Sequence, residues 1–184
     1  VSALAYVALY KDIALKIIAL VRDEEQAKKR FHEILTAGAP LRFLVGDLNH
    51  IPTVEEKIDY IIHGGSPTAS RYFSEHPVET IMTNLNGATN LLEVARKNQS
   101  EGFLFLSSME VYGGIHCREK IDEQHASFVD TMVPRSSYPE VKRMVESLCA
   151  CYADEYGVPA KSIRLTQTFG AGIRRTENRV FAQF

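Results

Sequence analysis

The chain has 184 residues, of which 45% are hydrophobic and 24% are charged, and its formal net charge is −2 at pH 7. This length and composition are ordinary for one globular domain with a substantial hydrophobic core. Basic and acidic residues are interspersed, which argues against a nucleic-acid partner. No apolar run reaches the roughly 18 residues that a membrane-spanning helix needs.

The three cysteines, Cys117, Cys149 and Cys151, form no CxxC pair, and the six histidines are scattered. We therefore expect a cytoplasmic protein with no disulfide framework and no metal site.

The first third of the chain alternates helical and strand patterns. Val1–Ile13 begins with apolar residues but lacks a basic leader, which predicts a core helix rather than a signal peptide. Leu15–Val21 is short, apolar and rich in isoleucine, as is typical of a buried strand. Asp23 is predicted to cap a charged helix that runs to about Ala37. Leu41–Val45 is the second predicted strand.

The rest of the chain continues the alternation of strands and helices. It contains three predicted strands and two predicted long helices, namely Ile58–His63, Pro77–Asn98, Gly102–Ser107, Ser137–Tyr156 and Ala160–Thr166. The first of these helices has a proline at its first turn, and the second is terminated by a glycine. Short apolar strands that alternate with helices predict an α/β fold with a doubly wound, Rossmann-like parallel sheet.

Small or polar residues follow every predicted strand. In a doubly wound sheet, ligands bind outside the carboxyl ends of the strands. These ends are Val21-Arg22, Gly46-Asp47-Leu48, His63 to Ser66, Ser107 to Glu110, and Thr166 to Gly170. A solvated loop would explain any one of them, but five together favour a shared site.

Dinucleotide folds place a glycine-rich turn between the first strand and the first helix, where backbone N–H groups approach the pyrophosphate. The sequence contains no GxxGxxG and begins inside a segment that resembles that helix. We therefore interpret residues 1–184 as a partial NAD(P)-binding domain, incomplete at both ends. The first strand with its glycine-rich turn and most of a C-terminal substrate domain would be missing.

Tyr138 and Lys142 are spaced i, i+4 on a predicted helix, so their side chains share a face. A neighbouring ammonium favours the phenolate, and the pair would then act as a general base. Alone, the spacing is equally compatible with an aromatic–lysine pair on a helix surface. Ser108 and Glu110 follow the preceding strand, and a hydroxyl there would contact the same substrate oxygen as Tyr138.

Five segments resemble the NAD-dependent epimerase/dehydratase family of extended short-chain dehydrogenase/reductases, in family order and spacing. They are DYIIHGGSPTAS (59–70), NLNGATNLLEVAR (84–96), FLFLSSMEVYGG (103–114), SYPEVKRMVE (137–146) and IRLTQTFGAG (163–172). Members of this family modify nucleotide sugars, and the resemblance therefore implies an enzyme with a nucleotide-sugar substrate and a bound NAD.

The resemblance implies a role for each matching residue. Ser108, Tyr138 and Lys142 would form a catalytic triad, and Lys142 would also hold the nicotinamide ribose. The other implied cofactor contacts are Asp47 and Leu48 beside the adenine, His63, Gly64, Gly65 and Ser66 beneath the cofactor, Asn84 on the long helix, and Ser107. The implied substrate contacts are Ser108, Gln167, which stands where the family usually has asparagine, and Arg179.

The reaction that follows oxidation at the sugar C4 differs between members of the family. Dehydratases typically carry adjacent Asp-Glu where this chain has Met109-Glu110, and a thioether cannot donate a proton to the departing hydroxyl. UDP-glucuronate decarboxylases have Ser-Thr-Ser-Glu-Val-Tyr-Gly there and keep only the glutamate, and epimerases commonly lack the acidic residue. The resemblance therefore favours decarboxylation or epimerisation over 4,6-dehydration, with Glu110 as a further catalytic residue.

The resemblance also leads to expectations about the choice of cofactor and the oligomeric state. Arg22 follows the strand whose end normally receives the adenosine ribose, and an arginine there could accept the 2′-phosphate of NADP. It could equally stack on adenine or be exposed, and family habit favours NAD. The helices from about Val78 to Asn98 and Ser137 to Tyr156 match the pair that forms dimers in relatives, which implies a homodimer. The alternative functions are an NADPH-dependent reductase of the same superfamily and a non-catalytic dinucleotide-binding module.

Overall fold

The computed structural model describes residues 1–11, 13–67, 70–114 and 119–168 of the chain. Six helices and five strands alternate in these residues as α1 (Ser2–Tyr10), β1 (Ile17–Val21), α2 (Glu24–Arg30), α3 (His32–Thr36), β2 (Leu41–Val45), β3 (Tyr60–His63), α4 (Ser70–Glu75), α5 (Pro77–Asn98), β4 (Gly102–Ser108), α6 (Ser137–Tyr156) and β5 (Ala160–Leu165). Two short 3₁₀ turns, Met109–Tyr112 and Pro134–Ser136, follow β4 and precede α6. The predicted order of strands and long helices is confirmed.

The chain divides into two compact units, with the boundary between Lys57 and Ile58. In the first unit, β1 and β2 pair in parallel, with Ile17 opposite Leu41 and Val21 opposite Val45. The side chain of Asp23 accepts a hydrogen bond from Gln26 N at 2.9 Å and caps α2, as predicted. The core of this unit consists of Ala5, Ile17 and Ile34, with Leu15, Phe31, Ala39 and Leu41 packed around them.

The single charged helix predicted after Asp23 is interrupted in the structure. The backbone of Phe31 leaves helical geometry, with φ −104° and ψ 16°, and separates α2 from α3. The Phe31 ring stacks on Phe43 of β2, with ring centroids 6.0 Å apart. This contact with the neighbouring strand explains the break that helical periodicity alone does not indicate.

In the second unit, three parallel strands lie in the order β3-β4-β5. Side chains on β4 alternate, and Phe103, Phe105 and Ser107 are buried. Helices α5 and α6 pack against each other and cover an apolar core. Its buried residues are Ile61, Ala88, Leu92, Ala95, Phe103, Phe105, Val141, Val145, Cys149, Tyr152 and Val158.

The described residues form two parallel sheets, one in each unit. Parallel pairing and flanking helices, the main features of the prediction, are present in each unit.

Candidate active site

The carboxyl ends of β3, β4 and β5 form one edge of the three-stranded sheet. His63 is the last residue of β3 and pairs in register with Phe105. Ser108 is the last residue of β4 and pairs with Leu165 at the end of β5. Because the three strands are parallel neighbours, the residues that follow them meet at this edge, as the positions of the polar residues predict.

Helix α6 brings Tyr138 and Lys142 to the end of β4. The 3₁₀ turn Pro134–Ser136 leads directly into the helix, and Gly157 ends it in the left-handed conformation, with φ 68°. Tyr138 is 9% exposed and Lys142 is 3% exposed, so both side chains point into the protein. The Lys142 ammonium lies 5.6 Å from the centroid of the Tyr138 ring. The shared face predicted from the i, i+4 spacing is confirmed.

The Lys142 ammonium is held by a backbone carbonyl and an aromatic face. Its Nζ donates a hydrogen bond to Leu106 O on β4 at 3.0 Å and lies 4.6 Å from the centroid of the Phe105 ring. Burial lowers the pKa of Lys142 to about 8, and the carboxylate of Glu146 partly opposes that shift. The ammonium is therefore close to its titration point near neutral pH.

The side chain of Ser108 lies beside the Tyr138 phenol and favours its ionised form. Burial raises the pKa of Tyr138 above its ordinary value, and the nearby Glu110 carboxylate adds to that shift. The Ser108 hydroxyl and the Arg135 guanidinium act in the opposite direction. The expected lowering of the phenol pKa by Lys142 is not found: Lys142 is not among the groups that shift this pKa, and the loss of hydration outweighs the effects of Ser108 and Arg135.

Ser108 and Glu110 are positioned by the 3₁₀ turn that follows β4. The Ser108 hydroxyl caps this turn by accepting a hydrogen bond from Glu110 N at 3.2 Å. The Glu110 carboxylate forms an ion pair with Arg135. Arg135 Nη2 donates a hydrogen bond to Oε1 at 3.0 Å and lies 2.9 Å from Oε2. The predicted catalytic residues thus lie together at one end of the sheet; they are Ser108, Glu110, Tyr138 and Lys142. Met109 is partly exposed beside them.

Two small residues and a buried amide line the segment after β3. A Cβ atom on Gly64 would lie 3.1 Å from Leu106 Cδ1, so the backbone approaches β4 closely at this point. Gly65 is exposed. The Ser66 hydroxyl donates a hydrogen bond to Asn84 Oδ1 at 2.8 Å, and Asn84 Nδ2 donates to Thr80 O at 2.8 Å. Asn84 therefore ties the segment after β3 to helix α5.

His63 and Ser107 lie on the buried side of the sheet. His63 is 2% exposed, and its ring centroid is 5.5 Å from that of Phe105. Within the described part of the chain, neither nitrogen of His63 nor Ser107 Oγ has a hydrogen-bond partner. Burial, followed by the charge of Lys142, lowers the pKa of His63 to about 4. Both residues are buried beneath this edge of the sheet.

Of the remaining predicted site residues, three belong to the first unit, one follows β5, and one is not described. Arg22 is exposed after β1, and Asp47 and Leu48 follow β2, all within the first unit. The Asp47 carboxylate accepts hydrogen bonds from Asn49 N at 2.7 Å and His50 N at 3.1 Å, so it stabilises its own turn. Gln167 is exposed beyond β5, and Arg179 lies outside the described residues.

Two residues of this site were not predicted from the sequence. Phe73 of α4 stacks on Tyr138, with ring centroids 4.1 Å apart and planes 7° apart. The Arg135 guanidinium carbon lies 5.0 Å from the centroid of the Phe73 ring and pairs with Glu110. The position of Arg135 three residues before Tyr138 is a weak signal for its role, and nothing in the local pattern indicates that of Phe73.

Two further arginines fix the turn that carries Glu110. Arg143 of α6 donates to Val111 O at 2.8 Å and to Ser127 O at 2.9 Å. Arg164 of β5 forms two hydrogen bonds with Glu146 and lies 4.9 Å from the Tyr112 ring centroid. The turn is therefore braced from both the helix and the neighbouring strand.

Within the described ranges, no group of three or more histidine, cysteine, aspartate or glutamate side chains is arranged to hold a metal ion. Among those same residues, no helix is both long and apolar enough to span a membrane.

The fold of the chain is that of Rossmann-like α/β proteins, with parallel strands covered by helices. Solved structures share it. A dTDP-glucose 4,6-dehydratase from Streptomyces venezuelae, crystallised with NAD bound, superposes with a TM-score of 0.68 at 17% identity, over 89% of this chain and 50% of that one. A UDP-glucose 4-epimerase from Thermus thermophilus, in complex with NAD, gives a TM-score of 0.60 at 19% identity, over 82% and 54% of the two chains.

Sequence comparison identifies the family. Residues 2–184 match the model of the NAD dependent epimerase/dehydratase family, and the chain belongs to that family. It is 30% identical over 128 residues to UDP-glucuronic acid decarboxylase 1 of Danio rerio, and 31% identical over 130 residues to UDP-glucuronic acid decarboxylase 5 of Arabidopsis thaliana. These alignments cover 70% of this chain but only 30% and 37% of the relatives. The chain therefore spans about a third of their length.

Proposed function

We propose that the protein modifies a nucleotide sugar, starting with oxidation at the sugar C4 by Ser108, Tyr138 and Lys142. The observation that supports this proposal is the buried Tyr138 phenol, which has the Ser108 side chain beside it and the Lys142 ammonium one helical turn away. In this role Tyr138 takes the proton of the C4 hydroxyl, while Ser108 hydrogen-bonds the same oxygen. Lys142 stabilises the negative charge that develops on the phenol oxygen.

We infer that NAD is the cofactor, as the family and the NAD complexes of its structural neighbours suggest. The residues present fit it in part, because the exposed glycine at position 65 and the close-packed Gly64 leave the segment after β3 without side chains. Gly64, Gly65, Ser66 and Lys142 would hold its nicotinamide half, and Arg22, Asp47 and Leu48 its adenosine half. When bound, NAD would take up the hydride from C4 and return it, and its positive ring would favour the Tyr138 phenolate.

Decarboxylation and epimerisation are the two outcomes that the site favours. Oxidation turns a sugar with a C6 carboxylate into a β-keto acid, which loses carbon dioxide and gains a proton at C5. Without that carboxylate, rotation of the 4-keto sugar, followed by return of the hydride to the opposite face of C4 and of the proton to its oxygen, would give the 4-epimer. Met109 has no proton to donate to a departing C6 hydroxyl, so 4,6-dehydration is disfavoured. The curated relatives, UDP-glucuronic acid decarboxylases, support the first outcome.

Incubation of the full natural chain and NAD with a panel of nucleotide sugars tests the proposal. We expect UDP-glucuronate or a related uronate to lose the mass of carbon dioxide, and an epimerised sugar to keep its mass but change its chromatographic mobility. Loss of water would instead indicate a dehydratase. Net consumption of NADPH would identify a reductase, which the exposed Arg22 could favour through a 2′-phosphate. Dinucleotide binding with no chemical change would indicate a non-catalytic module.

Tyr138→Phe and Lys142→Met test the residues assigned to the reaction. Each change removes a group needed for proton transfer, so turnover is expected to fall by about 10²–10⁴-fold while the fold is retained. Product formation and circular dichroism are the measurements, and Tyr10→Phe, at an exposed tyrosine of α1, is the matched control. A Tyr138→Phe protein as active as the unmodified one would refute the assignment.

We also propose that the protein is a cytoplasmic homodimer. The dimer is inferred from α5 and α6, which pack together and expose apolar side chains such as Val78, Met82 and Met144. The cytoplasmic location is expected from the cysteine content, and Cys149 and Cys151 are both free thiols.

A further inference from the structure

The side chains of Tyr138, Phe73 and Arg135, which come from three separate elements, form a continuous stack. The Phe73 ring is 2% exposed and lies nearly parallel to the Tyr138 ring, 4.1 Å away. The Arg135 guanidinium carbon lies 5.0 Å from the Phe73 ring centroid. The Ser137 hydroxyl donates to Phe73 O at 3.4 Å, which fastens α4 to the start of α6. The position of the Tyr138 ring therefore depends on a short helix that precedes it by more than sixty residues.

The same guanidinium binds the Glu110 carboxylate. Arg135 Nη2 lies within 3.0 Å of both carboxylate oxygens, and each partner of the pair is 33% exposed. A guanidinium is planar and weakly hydrated, so it can stack on an aromatic ring and donate hydrogen bonds at its edge at the same time. A lysine ammonium has neither the flat surface nor the fixed fork of donors. The geometry thus uses properties that are specific to arginine.

The two charges of this pair act on the Tyr138 phenol in opposite directions. The Glu110 carboxylate raises the pKa of Tyr138, and the Arg135 guanidinium lowers it. The other polar groups around the phenol are Ser108 at the end of β4 and the ammonium of Lys142 on α6, which itself lies near the neutral His63 of β3. Helix α4 contributes the apolar ring of Phe73 to this contact.

We propose that Arg135 is a positioning residue for this site, which orients Glu110 and, through Phe73, the Tyr138 ring, and which sets the electrostatic environment of the phenol. This inference deepens the proposed function and rests on it. Arg135 is not assigned a contact with substrate or cofactor; it acts through Glu110, Phe73 and Tyr138. Its loss would change both the position of the base and the pH at which the base works.

The test compares Arg135→Gln, Arg135→Lys and Glu110→Gln in the full natural chain. Arg135→Gln removes the cation, so the acid limb of the pH profile of kcat/KM should move to higher pH, with kcat about 10–100-fold lower. Arg135→Lys keeps a positive charge and should restore the pH midpoint but not kcat. Glu110→Gln removes the anion and should move the midpoint to lower pH. Arg71→Gln removes an exposed arginine of α4 that pairs with Glu75, and should change neither quantity.

A second measurement makes the test independent of turnover. Tyrosinate absorbance, recorded for each variant with and without Tyr138→Phe, isolates the ionisation of Tyr138. Opposite displacements of that ionisation in Arg135→Gln and Glu110→Gln would support the inference even if no nucleotide sugar were converted, which would refute the proposed function alone. An unchanged midpoint in the Arg135→Gln protein, or displacements in the same direction, would overturn the inference. If Arg135→Gln fails to fold, the Glu110→Gln midpoint and the Arg135→Lys profile decide the question.

Discussion

At the scale of single residues, burial dominates the chemistry of the site. Tyr138, Lys142 and His63 are all buried. Burial raises the pKa of Tyr138 and lowers the pKa values of Lys142 and His63, so in each case it favours the neutral form. Loss of hydration thus makes the site sensitive to any further charge that enters it. A bound cation beside Tyr138 would counteract the loss of hydration that opposes ionisation of the phenol.

The buried His63 should make stability depend on pH. The pKa of His63 is about 4 in the folded chain and about 6.5 when exposed, so below pH 6.5 the unfolded chain binds a proton that the folded chain excludes. The free energy of unfolding is therefore expected to fall by up to about 3 kcal/mol as the pH drops from 6.5 to 4. His63→Phe should remove this part of the pH dependence, as measured by urea denaturation at several pH values.

The matched control for this prediction is His32→Phe, at an exposed histidine of α3, which should leave the pH dependence unchanged. Phenylalanine at position 63 also fits the aromatic surroundings of Phe103 and Phe105, which favours folding of the variant. An identical slope of stability against pH in the His63→Phe and unmodified proteins would show that His63 ionises freely in the folded state.

At the scale of elements, the site depends on how short irregular segments are anchored to regular ones. The 3₁₀ turn after β4 places Glu110 beside Ser108, and it is held by backbone contacts from Arg143. Gly113 ends this turn with φ 78° and ψ −153°, a combination open essentially only to glycine. Backbone conformation and close packing therefore both require a glycine at this position.

Gly113→Ala should disturb the turn more than the same substitution at another left-handed glycine. A Cβ atom at Gly113 would lie 2.8 Å from both Ser127 O and Phe128 O, whereas one at Gly157 would meet nothing within 4 Å. We expect Gly157→Ala to lower the free energy of unfolding by about 1–2 kcal/mol through backbone strain alone. Gly113→Ala should lower it further and should also reduce turnover, because Glu110 lies on the turn.

Denaturation curves and product formation for the two alanine variants check this prediction. The Gly157→Ala protein serves as the control, since that residue lies at the opposite end of α6 from Tyr138. Equal losses of stability in the two proteins, or full turnover by Gly113→Ala, would contradict the prediction. Either result would mean that the backbone at residues 127–128 moves away from the added Cβ atom with little loss of free energy.

At the scale of the whole molecule, each described unit has its own core, and the three-stranded unit contains the proposed catalytic residues. The outer surface of its long helices is unusually apolar. Val78, Ile81, Met82 and Met144 are exposed on α5 and α6, at positions where a solvated helix would normally have polar side chains.

The proposed dimer predicts that a charge on these helices will separate the subunits. Met144 is 56% exposed, and Met144→Glu or Met82→Glu would introduce a carboxylate into the apolar surface. We expect the unmodified protein to sediment as a dimer and these variants as monomers over micromolar concentrations. Met132→Glu is the matched control, because Met132 is 87% exposed but lies outside both helices. Monomeric unmodified protein, or dissociation caused equally by Met132→Glu, would contradict the proposed interface.

The sequence by itself determined the order of strands and long helices, the parallel pairing, the helix start at Pro77, the caps at Asp23 and Gly157, and the face shared by Tyr138 and Lys142. These features follow from local patterns: hydrophobic period, capping residues and i, i+4 spacing. The resemblance to the family could also be recognised from the sequence, because each of its segments is a contiguous run of residues.

Only the tertiary structure decided how distant residues meet. Phe73 reaches Tyr138 and Arg135 reaches Glu110 across long separations in the chain, and no local period connects such positions. The break at Phe31 and the short helix α4 likewise depend on contacts with other elements. The direction of the Tyr138 pKa shift was decided in the same way. Spacing places an ammonium near the phenol, but packing determines how deeply the phenol is buried, and here the loss of hydration has the largest effect on the phenol pKa.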